Sequence, residues 1–233
     1  SFDLSITNFS KLKKIIENLD FKKDLEKNNK KIKIPVCCND EYGLDFDRLS
    51  KKLNLNKESF VVEVASNDGY LLTNFVSHEI DCLGIEPTKS TASEALSKGV
   101  PTLVEFFSLK LAKKFSNENR KADLIVANNV LAHVPTINDF IAGFQELLKP
   151  EGTITIEFPH VLKMFENNEF DTIYHEHFSY FSCLTVEKIF SHHGLTLFDI
   201  DELNTHGGSF RIYVRHQENT GNPISENLSR VKQ

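Results

Sequence analysis

FVVEVASNDGYLL, residues 60–72, is the stretch of sequence that decides the fold. It begins with a short apolar run rich in β-branched residues (60–65), passes through a polar turn that reaches Gly69, and continues as an apolar run with helical spacing (69–76). A buried strand that is followed at once by a turn and a helix is the first half of a βαβ unit. We therefore predict that a parallel sheet begins at residue 60.

The alternation of strand and helix continues along the chain as far as residue 158. Strands are predicted over 81–86, 102–106, 122–128 and 153–158, and helices over 91–98, 108–115 and 137–149. Strands that alternate with helices at this spacing are typical of an α/β fold with a doubly wound, mostly parallel sheet.

The last part of the predicted domain has a different pattern. A helix is predicted over 184–194, with Thr185 as its N-cap and Gly194 just beyond its end. Two strands, 195–203 and 208–216, follow without a long crossover, so we expect them to form a C-terminal antiparallel hairpin. A Rossmann-like parallel sheet that ends in such a hairpin is the outline of a class I methyltransferase.

Composition excludes two classes of partner. A chain of 233 residues, of which 40% are hydrophobic, is long enough to bury one large core. The formal net charge of −6 argues against nucleic-acid binding, because phosphates require a basic surface. The sequence contains no apolar run of about eighteen residues and no signal-peptide core, so we expect a cytoplasmic protein without membrane contact.

The chain divides into three parts that differ in amino-acid composition and predicted structure. Residues 1–34 are rich in Lys, Asn and Asp, and their apolar positions have helical spacing. We predict an N-terminal helical or irregular extension (1–58), a methyltransferase domain (59–218) and a C-terminal tail (219–233) in which a further domain could begin.

The cysteines do not predict a metal site. Cys37, Cys38, Cys82 and Cys183 form no CxxC pair, so we expect free thiols and no bound zinc.

The turn after the first predicted strand has features of a cofactor site. It contains Ser66, Asn67 and Gly69, and the glycine would let a ligand approach the backbone closely. The N-terminus of the following helix favours a carboxylate. The turn has one glycine where the GxGxxG motif of NAD(P) enzymes has three, which argues against a dinucleotide.

Polar and aromatic residues also follow the later strands. Ligands of such sheets bind beyond the carboxyl ends of the strands. Glu86 would accept hydrogen bonds from both hydroxyls of a ribose, and Phe106 would lie against an adenine ring. Asn128 and Asn129, at the end of the fourth strand, would hold an amino acid moiety. Together these features indicate S-adenosylmethionine as the cofactor.

Groups that transfer protons are concentrated in FDTIYHEHFSYFS, residues 170–182. Histidine, glutamate and tyrosine can each donate or accept a proton in a reaction near neutral pH. We interpret His175 as structural. If this segment were extended, His175 and His177 would share one face and could hold a metal with His160, an alternative that we disfavour.

Motifs from residue 60 to residue 216 resemble the S-adenosylmethionine-dependent sugar C-methyltransferases, which act on nucleotide-linked 4-keto-deoxysugars. The most specific motifs are DFIAGFQELLKPEGTITIEFPH, FDTIYHEHFSYFS and THGGSFRIYV. The resemblance implies a cofactor site and a catalytic site. The cofactor site would contain Ser66, Gly69, Glu86, Pro87 and Asn128, and the substrate and catalytic site would contain His133, Tyr174, Glu176 and His177.

The residue types fit methylation beside a ketone. A base removes the hydrogen next to the carbonyl group, and a hydrogen-bond donor stabilises the enolate oxygen. We expect His177 to be the base and Tyr174 to be the proton relay or the enolate donor. Glu176 would orient a ring or bind a sugar hydroxyl, and His133 would face the acceptor.

Three departures from the family leave the acceptor open. The family usually begins with a four-cysteine zinc domain, whereas this sequence has only Cys37 and Cys38 in that region. The family also continues beyond THGGS into a second α/β domain. Ala65 occupies a position where class I methyltransferases often have glycine. The chain is therefore either a domain of a larger polypeptide or a reduced relative. Sugar O-methylation and non-catalytic binding of the cofactor or a sugar nucleotide remain alternatives.

Overall fold

The structure, a computed structural model, describes residues 41–232. The helix predicted within residues 1–34, and Cys37 and Cys38, lie outside the described residues. Cys82 and Cys183 are buried free thiols, as predicted. Among the described residues, no helix is long and apolar enough to cross a membrane.

The described residues form a sheet of seven strands. The strands are β1 (Phe60–Val64), β2 (Asp81–Ile85), β3 (Thr102–Leu103), β4 (Ala122–Asn128), β5 (Leu148–Pro159), β6 (Leu195–Leu203) and β7 (Ser209–His216). Their spatial order is β3-β2-β1-β4-β5-β7-β6. The pairs among β1 to β5 are parallel, whereas β7 runs antiparallel to both β5 and β6. The predicted doubly wound sheet with a C-terminal antiparallel hairpin is confirmed.

Helices flank the sheet. They are α1 (Glu41–Leu53), α2 (Leu72–Ser77), α3 (Lys89–Ser97), α4 (Leu109–Asn117), α5 (Ile137–Leu147), α6 (Val161–Glu166), α7 (Cys183–His192) and α8 (Glu226–Val231). Short 3₁₀ turns occur at Leu131–His133, Phe170–Thr172 and Thr205–Gly207.

Side-chain alternation along the central strands gives the sheet two buried faces. In β1, Val62 and Val64 pack into one hydrophobic cluster, whereas Val61 packs into the cluster on the opposite face. Because successive side chains of a strand point to opposite faces, a strand that is covered on both sides must be apolar throughout. This accounts for the nearly continuous apolar sequence of β1.

Several predicted boundaries differ from the structure, among them two strand limits and one helix cap. Strand β3 ends at Leu103 rather than at residue 106, because Val104 and Phe106 are exposed and gain no burial from continuing this short edge strand. Strand β5 starts earlier than predicted, since Leu148 pairs with Ala122 of β4. Helix α7 is capped by Ser182, whose hydroxyl accepts a hydrogen bond from the Thr185 amide, so the prediction that Thr185 is the cap was wrong.

A buried ion pair joins β5 to the hairpin. Glu157 and Arg211 are opposite each other in the register, and their side chains are 2.9 Å apart and almost fully buried. Glu157 also accepts a hydrogen bond from the hydroxyl of Thr205, in the turn before β7. Through its contacts with Arg211 and Thr205, Glu157 thus joins the end of β5 to β7 and to the turn that precedes β7.

Replacing Arg211 by methionine is expected to destabilise the fold. The variant leaves the Glu157 carboxylate buried without its cation, and breaking such a pair from one side costs about 3–5 kcal/mol. Urea denaturation measures the loss in the free energy of unfolding. A Glu157→Gln/Arg211→Met double variant removes the orphaned charge and should recover much of that loss. A single variant as stable as the wild type would contradict the prediction.

Candidate functional site

A cavity of about 540 Å³ lies at the carboxyl ends of β1, β2 and β4. The strand order reverses between β1 and β4, and such a point is where ligands of open α/β sheets bind. Five of the predicted site residues line the cavity: Glu86, Pro87, Phe106, Asn129 and His133. Phe106 is 78% exposed, so its ring is available to a flat ligand.

The turn after β1 is tightly wound. Ala65 and Asn67 have positive φ angles of 57° and 52°, and Gly69 has a φ of 73°. A Cβ atom at Gly69 would lie 3.0 Å from the side chains of Ala95 and Val100, so the turn is pressed against the next βα unit. For alanine a left-handed conformation costs roughly 1–2 kcal/mol, and here it directs the chain along the rim of the cavity.

The carboxylate of Glu86 is buried and held by backbone donors. One of its oxygens accepts a hydrogen bond from the Asn67 amide at 3.2 Å, and the other accepts from the Thr88 amide at 2.8 Å. A carboxylate can accept about four hydrogen bonds, so acceptor sites remain for a ligand. Asn67 therefore contributes its backbone to the site by orienting Glu86.

Several buried polar atoms near these strand ends are unsatisfied. Within residues 41–232, the Ser66 hydroxyl and the side-chain oxygens of Asn128 and Asn129 find no hydrogen-bond partner. Buried polar atoms normally have partners, so these three atoms are exceptions within the described residues. Asn129 also lines the cavity.

Glu63, in the middle of β1, was not predicted as a site residue. Its carboxyl group is buried, and its pKa is raised well above the ordinary value by desolvation and, secondarily, by Asp68. One of its oxygens finds no partner among the described residues. A single acid within the apolar run FVVEVA was the signal that could have drawn attention to it.

His177 forms a defined pair with Tyr174. Its Nδ1 lies 2.9 Å from the carbonyl oxygen of Thr172, which can only accept, so Nδ1 carries the hydrogen. In the neutral ring Nε2 is then an acceptor, and the Tyr174 hydroxyl lies 2.9 Å from it. Partial burial, followed by the charges of Glu176 and Tyr180, raises the pKa of the Tyr174 phenol and keeps it protonated.

His133 connects this pair to the cavity. It lines the cavity, and its ring centre is 4.7 Å from that of His177. Its Nδ1 lies 3.0 Å from the carbonyl oxygen of Glu176, so in the neutral ring Nδ1 carries the hydrogen and Nε2 is an acceptor. A backbone hydrogen bond from Phe178 to Ala132 fastens the same two loops together.

The two other members of the HEH sequence are not part of this cluster. The His175 ring is 91% exposed and the Glu176 side chain is 65% exposed. Glu176 orients the His133 ring, but through its backbone carbonyl rather than its carboxylate.

The metal alternative has no support in the geometry. The chain turns at residues 174–177 instead of remaining extended, and the His160 ring packs on Phe210. The described part of the chain contains no group of three or more His, Cys, Asp or Glu residues that could hold a metal ion.

Comparison with known proteins identifies the family. The model of the family described as "Methyltransferase domain" matches residues 39–200. A second model, described as "Carboxyltransferase domain, subdomain C and D", matches residues 1–74, which is less than half of the chain and includes β1 and the turn after it.

One curated relative is the C-methyltransferase NovU of Streptomyces niveus. It is 32% identical over 168 residues, which make up 72% of this chain and 40% of NovU. The chain thus spans less than half the length of this relative.

Solved structures share the fold at low sequence identity. Magnesium protoporphyrin IX methyltransferase from Synechocystis, solved with bound SAH, has a TM-score of 0.59 at 15% identity, covering 75% of this chain and 81% of that one. A SAM-dependent methyltransferase from Anabaena variabilis has a TM-score of 0.60 at 16% identity, covering 77% and 86%. Because the family match covers residues 39–200, the chain belongs to the family described as "Methyltransferase domain".

Proposed function

We propose that this chain methylates a nucleotide-linked deoxysugar at the carbon beside a ketone, with S-adenosylmethionine as the methyl donor. The observation that carries the proposal is the Tyr174–His177 pair, in which Nε2 of the imidazole, an acceptor in the neutral ring, lies 2.9 Å from a phenol hydroxyl beside the cavity. The similarity to a protein named C-methyltransferase supports carbon as the methylated atom.

Residues at the strand ends are proposed to bind the donor. Glu86 would accept hydrogen bonds from the ribose hydroxyls, with Pro87 and Phe106 beside the adenine. The turn of Ser66, Asn67 and Gly69 and the side chain of Asn128 would surround the amino acid moiety. The cavity at this edge and the unsatisfied atoms of Ser66 and Asn128 support this arrangement.

Replacing Glu86 by alanine is expected to weaken donor binding. The variant removes hydrogen bonds to a charged acceptor, each worth about 1.5–3 kcal/mol, so the dissociation constant should rise at least about tenfold. Calorimetry with S-adenosylhomocysteine measures the change. Glu94→Ala, the same substitution at a 60% exposed side chain of α3, serves as a control. Unchanged affinity in Glu86→Ala would exclude the proposed ribose contact.

The protein's part in the reaction is to move one proton and to stabilise one oxygen. Bound S-adenosylmethionine supplies an electrophilic methyl group. His177 would take the hydrogen beside the ketone on Nε2, either directly or through the Tyr174 hydroxyl. When His177 takes it directly, the Tyr174 hydroxyl is free to donate to the enolate oxygen. His133, with its free Nε2 at the cavity, would face the acceptor between the donor site and the base.

Two other functions use the same geometry. The same base could deprotonate a hydroxyl group, which would make the chain a sugar O-methyltransferase. The chain could also bind cofactor and sugar nucleotide without catalysis, as part of a larger protein. The chain alone is incubated with a keto sugar nucleotide and S-adenosylmethionine, and NMR locates any new methyl group. A methyl group on carbon, a methyl group on oxygen and no methyl transfer distinguish the three functions.

Replacing His177 by asparagine is expected to lower turnover by roughly 10²–10⁴-fold, the usual contribution of a general base. Affinity for S-adenosylhomocysteine should not change, because His177 lies outside the residues that line the donor cavity. The matched control is His175→Asn, two residues away with a 91% exposed ring, which should retain most activity. Full turnover in His177→Asn would show that the base is Tyr174 or His133 rather than His177.

A further inference from the structure

Helix α5 carries a glycine, Gly143, in its interior. Glycine weakens the interior of a helix more than any residue except proline. Gly143 does not have a positive φ angle, so the backbone at this position would accept any residue. The reason for a glycine here therefore lies in what approaches it.

The ring of Phe107 fills the space that a side chain at position 143 would need. A Cβ atom on Gly143 would lie 2.9 Å from Cε1 of Phe107 and 3.2 Å from the backbone nitrogen of Leu109. Phe107 is 9% exposed, and its ring centre lies 5.1 Å from that of Phe144 and 5.4 Å from that of Phe140. Because these two rings of α5 enclose it, Phe107 has little room to move aside.

Asp139 holds the same part of the chain by a hydrogen bond. It lies four residues before Gly143 and therefore on the same face of α5. Its carboxylate accepts a hydrogen bond of 3.2 Å from the amide of Leu109, the first residue of α4. Helix α5 thus contacts the start of α4 at two points, the ring of Phe107 and the amide of Leu109.

The chain held in this way is a wall of the donor cavity. Phe106, Phe107 and Ser108 all line the cavity. Phe106 is 78% exposed, whereas the neighbouring Phe107 is buried against α5. Since the two residues are adjacent, the depth to which Phe107 packs against Gly143 determines where the Phe106 ring stands in the wall.

We propose that Gly143 and Asp139 are positioning residues for the methyl donor. They hold residues 106–108 at the depth at which Phe106 contacts the adenine ring. Gly143 acts through Phe107, and Asp139 acts through the amide that it binds. This inference rests on the proposed function, in which the adenine lies beside Phe106.

Replacing Gly143 by alanine displaces the wall. Calorimetry measures binding of S-adenosylhomocysteine and of 5′-methylthioadenosine, which lacks the amino acid moiety. Both dissociation constants should rise by the same factor of about 5 to 100, the range that stacking of a base on an aromatic ring contributes. Ala142→Ser adds one atom to the neighbouring, partly exposed residue of α5 and should leave both constants unchanged.

A double variant shows whether Gly143 acts through Phe107. Phe107→Leu removes the ring edge that a methyl group at position 143 would meet. Residues in direct contact are coupled in a double-mutant cycle. Gly143→Ala should therefore weaken binding in the wild type and have little further effect in the Phe107→Leu background. An equal loss in the two backgrounds would overturn the proposed role of Gly143.

Asp139 offers a second test, which adds no atoms to the packed interior and decides the proposal if Gly143→Ala does not fold. Asp139→Ala removes the acceptor of the Leu109 amide, whereas Asp139→Asn keeps an oxygen that can accept the same hydrogen bond. The alanine variant should bind both ligands more weakly, and the asparagine variant should bind them as the wild type does. An equal loss in both variants would overturn the positioning role of Asp139.

The outcomes separate this inference from the proposed function, because no acceptor takes part. Unchanged affinity in Gly143→Ala, together with weaker binding in Glu86→Ala, would overturn the inference while the proposed donor site stands. If the wild type binds neither ligand, the proposed donor site fails and the inference with it.

Discussion

The hydrogen bond from His177 Nδ1–H to the Thr172 carbonyl is the interaction on which the proposed chemistry depends. It selects one of two neutral tautomers and leaves Nε2 as an acceptor that faces Tyr174. Without it the ring could present an N–H to the same place, and the pair would have no base. The hydrogen bond exists because the chain turns back between Phe170–Thr172 and residue 177.

The sheet brings this pair to the donor cavity. The loop after β4 carries His133, which lines the cavity and contacts the His177 ring. Two hydrogen bonds join that loop to the segment that contains Tyr174 and His177, one to the carbonyl of Glu176 and one from the amide of Phe178. The cavity and the proposed base are therefore connected through short contacts between loops at one edge of the sheet.

Local sequence patterns were sufficient to predict the strands and the residues at their ends. Short apolar runs rich in β-branched residues located the strands, and the position of Glu86 at a strand end placed it at the cavity. Side-chain directions inside an irregular segment depend on tertiary hydrogen bonds, so the sequence did not reveal that Glu176 acts through its backbone. Glu63 was not predicted, although an acid within the apolar run of β1 was a local signal, and its raised pKa depends on desolvation by the packed fold.

The exchange of the hydrogen beside the ketone with solvent tests the central claim most directly. A 4-keto-6-deoxy sugar nucleotide is incubated in deuterated water with the protein and S-adenosylhomocysteine, and NMR follows the signal of that hydrogen. If the Tyr174–His177 pair removes the proton, the wild type exchanges it for deuterium without any methyl transfer, and His177→Asn does not. No exchange in a wild type that still methylates the sugar, or equal exchange in the variant, would contradict the account.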